Sequence, residues 1–272
     1  MEAVNEKLRE LQLEEIKTLK KTIKFFDDNN IRYYAIGGTL LGAVRHHGFI
    51  PWDDDIDLGV IREDYDRLTE LSKTSDFPLN IVGPWNDENC YWYPARIVSD
   101  DVKVCRNVHG EDVIQNVWID VFPLDGIPAD SSEQRAYWLK LDYFRGRFNL
   151  SRLQKYEKGP SKLKNILKKG WMIFNNPKKM NKAKEYHAFD GAMKKYGFKD
   201  MPCFLNAEGR CKMREIAPQE WLGENFMLQF EDMQLRCIEH YDEYLTQIYG
   251  NYMEKPKNPE VYEHNIKDVI RE

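Results

Sequence analysis

The 272-residue chain, 32.3 kDa, is 42% hydrophobic and 13% aromatic, enough to build the core of one large domain or two modest ones and to exclude disorder as its main state. Charged residues make up 31%, mean hydropathy is −0.68, and no run approaches the roughly eighteen consecutive apolar residues of a bilayer span, so an integral membrane protein is not expected. The opening residues carry no basic flank followed by an apolar run, and the expected location is cytoplasmic.

Residues 2–28 predict a helix, because Leu8, Leu11, Ile16, Leu19, Ile23 and Phe26 recur at spacings of three to five among charges. The run from Asp27 to Asn30 ends it. Residues 32–36 are aromatic and β-rich enough for a buried strand that runs into Gly37 and Gly38, after which Thr39 caps a short helix to His46. Residues 55–60 alternate polar and apolar like a strand with one acidic face, and 63–72 predict a helix behind it. Further β-like segments are expected at 79–82, 91–98, 102–106 and 117–122. From about Glu133 the pattern is chiefly helical. The class is therefore α+β, with helices packed around one sheet. Five scattered cysteines (Cys90, Cys105, Cys203, Cys211, Cys237) lack the close pairing of a zinc site and suggest reduced thiols.

The chemistry concentrates in residues 53–57, Asp-Asp-Asp-Ile-Asp. Four carboxylates in five positions repel one another at neutral pH unless something positive sits among them. On a strand, Asp53, Asp55 and Asp57 share one face while Asp54 and Ile56 take the other. Flanking Phe49, Ile50, Trp52 and Leu58 put the acids at the edge of a core rather than in a surface turn. Oxygen ligands on a rigid strand suit Mg²⁺ or Mn²⁺, which accept phosphate oxygens as remaining ligands. Upstream, Gly37, Gly38 and Thr39 stand at a strand-to-helix junction, where a backbone without side chains and the first N–H groups of a helix favour an anion. Asp120, alone in the apolar run Val117–Phe122, is costly to bury without a metal or a proton to handle.

A glycine pair opening a helix, followed by an Asp-x-Asp strand, resembles the nucleotidyltransferase fold of the polymerase β type. The stretches 36–46 and 48–57, then 118–125, then Phe230–Asp232, Tyr241–Leu245 and Tyr249–Met253, are similar to the LicD family, which includes phosphocholine transferases and is related to fukutin-related protein. The resemblance implies metal-dependent transfer of phosphocholine or a related substituted phosphate. The donor would be CDP-choline or another CDP-alcohol, and the acceptor a sugar hydroxyl of a cell-surface glycan such as teichoic acid, capsule or lipopolysaccharide. In that reading residues 1–130 form the nucleotidyltransferase-like core and 131–272 a mainly helical part packed on it. Asp55 and Asp57 hold the metal, Asp53 joins them or orients their waters, and Asp120 is a third ligand or accepts the acceptor's proton.

Arg45, Arg96 and Lys103 are candidate cations for the donor phosphates, beside Gly37, Gly38 and Thr39. Trp85, Tyr91, Trp92, Tyr93 and Trp118 are candidates for an aromatic cage around a quaternary ammonium; each cation is equally readable as a surface charge and each ring as core. The net charge of −5 hides an uneven distribution: residues 145–200 hold sixteen Lys or Arg against four acids, +12, leaving −17 elsewhere. Within that block, 161–174 interleaves Lys with Leu, Ile, Trp171 and Phe174 like an interfacial helix, which suits peripheral contact with the inner membrane face and a lipid-linked acceptor. No nucleic acid is expected. Two alternatives stay open: transfer of NMP itself, and a non-catalytic glycan- or nucleic-acid-binding module.

Overall fold

The computed structural model describes residues 6–74, 77–87, 94–108, 111–152, 166, 170, 176, 179–255 and 266–271. Its organising element is a mixed sheet in which β1 (Tyr33–Ala35), β2 (Asp57–Ile61), β5 (Glu111–Ile127), β4 (Ala95–Val108) and β10 (Ile266–Arg271) lie side by side in that order. β2 and β5 run parallel, and the other neighbouring pairs are antiparallel. β3 (Asn80–Val82) also pairs with β4, while β6 (Cys203–Leu205) joins the far end of β5 and β7 (Ile216–Pro218) joins β6. A separate hairpin is formed by β8 (Met227–Phe230) and β9 (Met233–Arg236).

Among the described residues, five helices surround this frame together with α1 (Glu6–Asp28): α2 (Gly37–His46), α3 (Arg62–Leu71), α4 (Ser131–Ser151), α5 (Lys182–Met193) and α6 (Tyr241–Tyr249). The six apolar residues that predicted α1 are all buried. The main core spans both halves of the chain, joining α1, α2 and the sheet to Phe204, Phe230, Leu235, Tyr244 and Ile248. A second core lies between α4 and α5, around Tyr137, Phe148, Tyr186 and Phe189. A third, smaller one packs Leu11 of α1 against Val102, Val104, Val117 and Trp118. Among the described residues no helix is long and apolar enough to cross a membrane.

Three expectations need correction. Strand β2 begins at Asp57, two residues later than predicted, so Asp53–Ile56 is extended backbone outside the ladder. The segments predicted at 91–98 and 102–106 are, from Ala95 on, one strand, β4. Its register slips between Val98 and Lys103, and the Asn116 amide spans the irregularity by donating to the Ser99 carbonyl at 2.6 Å. Finally, the half after Glu133 is helical only in part, because it also supplies β6 to β10. Strands of three or four residues are too short to show a period of two.

One buried ionic cluster fixes the site's frame. Arg62, the first residue of α3, donates through Nε to Asp125 Oδ1 (2.6 Å), through Nη2 to Asp125 Oδ2 (2.9 Å) and through Nη1 to Asp190 of α5 (3.1 Å). The parallel register ends at Ile61 beside Leu124, so Arg62 and Asp125 continue the same ladder as side chains.

Candidate active site

The site forms where β2 enters the sheet. Asp57 and Asp120 are direct neighbours across the parallel pair β2–β5, and Asp120 faces Arg96 across the antiparallel pair β5–β4. Three strands thus lay Asp57, Asp120 and Arg96 in one row. The Asp120 N–H donates to the Ile56 carbonyl (2.9 Å), and the Asp57 N–H donates to Thr39 Oγ1 (2.8 Å). Thr39 therefore fixes the strand's first residue rather than capping α2, whose N-cap position is Ile36.

Both glycines are needed where they stand. Gly37 has φ +56°, and a Cβ on it would lie 3.2 Å from Asp57 Oδ2 and 3.9 Å from the Tyr249 hydroxyl. A Cβ on Gly38 would lie 2.7 Å from Asp53 Oδ2, closer than carbon and oxygen tolerate. The first turn of α2 therefore meets the carboxylates of Asp53 and Asp57 backbone to side chain, with the positive end of the helix toward them.

Burial along the acidic segment alternates as expected even without strand pairing: Asp54 and Ile56 are buried, whereas Asp53, Asp55 and Asp57 are half-buried. Carboxylate oxygens of Asp55, Asp57 and Asp120 lie within 4.8 Å of one another, and so do those of Asp53, Asp54 and Asp55. Burial, then the charge of Asp55, pushes the carboxyls of Asp53 and Asp57 well above the usual range, with Arg210 opposing the shift at both. An all-oxygen, strongly negative donor set of this kind fits a hard divalent cation.

These shifts carry a sign. A carboxyl whose folded value is raised binds more protons in the native state than in the unfolded one, so stability falls as pH climbs from the unfolded value near 3.8 through the folded value. In EDTA, the urea midpoint should therefore decline as pH is raised above about 4. Added Mg²⁺ should restore more stability at the upper pH than at the lower. A midpoint flat in pH and indifferent to Mg²⁺ would contradict this picture.

Of the candidate cations, Arg96 lies in the site, its Nε 2.7 Å from Asp120 Oδ1. Arg45 donates instead to the Tyr252 carbonyl (2.7 Å) and to His46 Nε2 (3.0 Å), tying α2 to the segment after α6. Lys103 stands farther along β4, opposite Asn116 and Ile270. Among the candidate rings, Trp118 is fully buried; its Nε1 donates to Asp120 Oδ2 (3.3 Å) and its face carries the guanidiniums of Arg96 and Arg106 at 4.3 and 5.3 Å. Trp85 packs edge-on to Tyr65 and against Tyr186, over Gly83. Tyr91, Trp92 and Tyr93 lie outside the described residues, as does 161–174 apart from residues 166 and 170.

Three groups escape a reading of the sequence alone. Arg210, exposed in the loop after β6, acts electrostatically on Asp53 and Asp57. That loop is pinned by Glu215, which accepts from the Cys211 N–H (3.2 Å) and the Tyr244 hydroxyl (3.1 Å). Tyr249, at the end of α6, reaches Gly37. Glu15 of α1 lies fully buried beneath the acids. Arg210 sits in no pattern, but Glu15 has a signal: it falls one turn after Leu11 and one turn before Leu19, an acid in the helix's apolar stripe.

Residues 30–160 match the family model described as LicD/FKTN/FKRP, nucleotidyltransferase domain. That stretch of the chain is therefore similar to the LicD family domain. All the acids of the site and its glycine pair fall inside this LicD-family match. Over nearly its whole length the chain is also similar to the lipopolysaccharide cholinephosphotransferase LicD of Haemophilus influenzae, 27% identical over 96% of this chain and 97% of that one. Shorter similarities run to the human ribitol 5-phosphate transferase FKRP, 38% identical over 21% of this chain and 12% of that one, and to the uncharacterized protein RP689 of Rickettsia prowazekii, 49% identical over 20% of each.

Proposed function

We propose that this chain is a phosphotransferase of nucleotidyltransferase-like fold that moves phosphocholine, or a related alcohol phosphate, from a CDP-linked donor to a sugar hydroxyl of a cell-surface glycan. The observation that carries this reading is the row Asp57–Asp120–Arg96 set against the glycine-opened helix α2: a carboxylate site for a cation beside backbone that a phosphate can approach. The similarity to a lipopolysaccharide cholinephosphotransferase along 96% of the chain supports the same class.

Asp55, Asp57 and Asp120 would hold Mg²⁺ or Mn²⁺, which when bound neutralises the donor diphosphate and the leaving CMP. Gly37 and Gly38 let the donor approach the first turn of α2 without side-chain obstruction. Arg96 and the Trp118 indole hold both oxygens of Asp120 in place, which suits a fixed ligand. Arg210 adds positive charge that acts on Asp53 and Asp57. In the transfer, the acceptor oxygen attacks the phosphorus bearing the alcohol, the bond from that phosphorus to the bridging oxygen breaks, and CMP leaves. The acceptor's proton passes to a carboxylate of the cluster.

The test is a panel of CDP-choline, CDP-ribitol, CDP-glycerol and plain NTPs with Mg²⁺, read by thermal shift and by nucleotide product. One CDP-alcohol should stabilise the protein selectively, by about 2.7 kcal/mol at a hundred times its dissociation constant, and release CMP when acceptor glycan is present. Release of pyrophosphate from an NTP would replace this reading with NMP transfer.

A further inference from the structure

Tyr249 stands in the site without a role in the transfer. Its hydroxyl lies 3.9 Å from the point a Cβ on Gly37 would occupy, and the same point is 3.2 Å from Asp57 Oδ2. The phenol, the opening residue of α2 and the Asp57 carboxylate therefore meet at one corner. The side chain is 43% exposed and belongs to none of the three cores, so packing does not account for its place. Among the described residues its hydroxyl bonds no acceptor, although Asp57 and Asp53 are near enough to act on it. Desolvation of the hydroxyl end, then the charge of Glu215, holds the phenol well above its usual range, with Cys211, Asp57 and Asp53 adding to the shift. It is therefore an O–H donor at any pH near neutrality.

The backbone around this donor is fixed on both sides. Before it, α6 is tied to the loop that carries Arg210: Gln247 donates from Nε2 to the carbonyls of Arg214 (2.8 Å) and Ile216 (2.7 Å), and Tyr244 bonds Glu215. After it, Gly250 stops the helix at φ +74°, its N–H donating to the Thr246 carbonyl (2.8 Å), and the Tyr252 carbonyl accepts from Arg45 of α2 (2.7 Å). Tyr249 is thus clamped between the Arg210 loop and the glycine-opened helix. A donor held this way meets a ligand without first giving up a bond inside the protein.

We propose that Tyr249 is a catalytic residue whose hydroxyl donates a hydrogen bond to a non-bridging oxygen of the phosphate being transferred. The inference rests on the transfer reading above and adds a donor to it. The reacting phosphorus belongs at this corner because Asp57 and, across the ladder, Asp120 border it. In the transition state the non-bridging oxygens carry the charge, and an O–H already aimed at one of them stabilises it. The proton stays on Tyr249 throughout; the acceptor's proton goes to a carboxylate and CMP leaves as before.

Tyr249→Phe tests this, since it keeps the ring and removes one O–H. In the full chain kcat for CMP release should fall about 100-fold, the scale of losing one donor to a transition state, while KM for the CDP-alcohol stays within about threefold. The melting temperature should not move, because the hydroxyl bonds nothing in the protein, and the pH profile of kcat should keep its shape. A purely structural tyrosine would instead lower the melting temperature and raise KM. That result, a kcat within about twofold of native, or a lost limb of the pH profile would overturn the proposal. The transfer reading fails separately. Pyrophosphate release from an NTP, slowed about 100-fold in Tyr249→Phe, would remove CDP-alcohol transfer and keep the tyrosine. CMP release equal in both proteins would do the opposite, and a native chain that turns over neither nucleotide would overturn both.

Discussion

Asp57→Asn should abolish transfer while the fold survives. Its carboxylate forms one ligand set with those of Asp55 and Asp120, and its backbone N–H, which donates to Thr39 Oγ1, is untouched by the substitution. Asparagine keeps the shape and removes the charge on which cation binding depends. The loss should exceed the roughly 10–100-fold that removing an outer-shell partner costs. In metal-free buffer the same variant should melt at or above the native temperature, because it relieves a carboxyl crowded by Asp55, Asp120 and Asp53. Measuring CMP release and the melting curve on one preparation separates the two effects. Substantial activity in this variant would refute the assignment of Asp57.

The largest stability effect should come from Arg62→Ala. Asp125 is 1% exposed and takes both its guanidinium bonds from Arg62, with Asp190 on the remaining nitrogen. Even with Arg62 present, burial outweighs its charge and holds the Asp125 carboxyl above the usual range. Breaking a buried pair on one side costs about 3–5 kcal/mol, which at about 2–4 °C per kcal/mol for a chain of this size lowers the melting temperature by roughly 10 °C. Arg62→Met combined with Asp125→Leu should recover part of that loss, since an apolar pair leaves no orphaned charge. Transfer should suffer in the single variant too, because Arg62 and Asp125 prolong the register that sets Asp57 beside Asp120. A single variant as stable as the native protein would show that the cluster is not a clamp.

What could be read in advance divides by physical cause. Helix α1, the α2 glycines and the acids of 53–57 were legible because each leaves a local mark: a period near 3.6, a side chain missing at a junction, a charge density too high to be accidental. Asp120 was legible as a polar residue in an apolar run. The register that places it next to Asp57, sixty-three positions earlier, is a long-range pairing with no local mark. Neither had Arg210, brought in by a loop that Glu215 and Tyr244 anchor, nor Arg45, which looked like a phosphate ligand from its helix but is committed to the Tyr252 carbonyl. The Ser99–Asp101 stretch read as a break because its composition is that of a turn, whereas the chain absorbs it as an irregularity within β4. Glu15 leaves only a faint mark, because with Glu14 beside it the pair resembles a charged helix face.

Helix α1 is held by residues from the distant end of the sequence. Arg9 pairs with Glu231 at 2.6 Å, Lys20 with Asp232 at 2.6 Å, and Glu14 with Arg271 at 2.7 Å. During synthesis this helix leaves the ribosome well before these partners, so Arg9, Lys20 and Glu14 wait unpaired while more than two hundred residues are added. The clamp on the helix that covers the acidic site is complete only once residues 231–271 have been made, and a nascent chain stalled before Glu231 would expose both the apolar stripe of α1 and the carboxylates it covers.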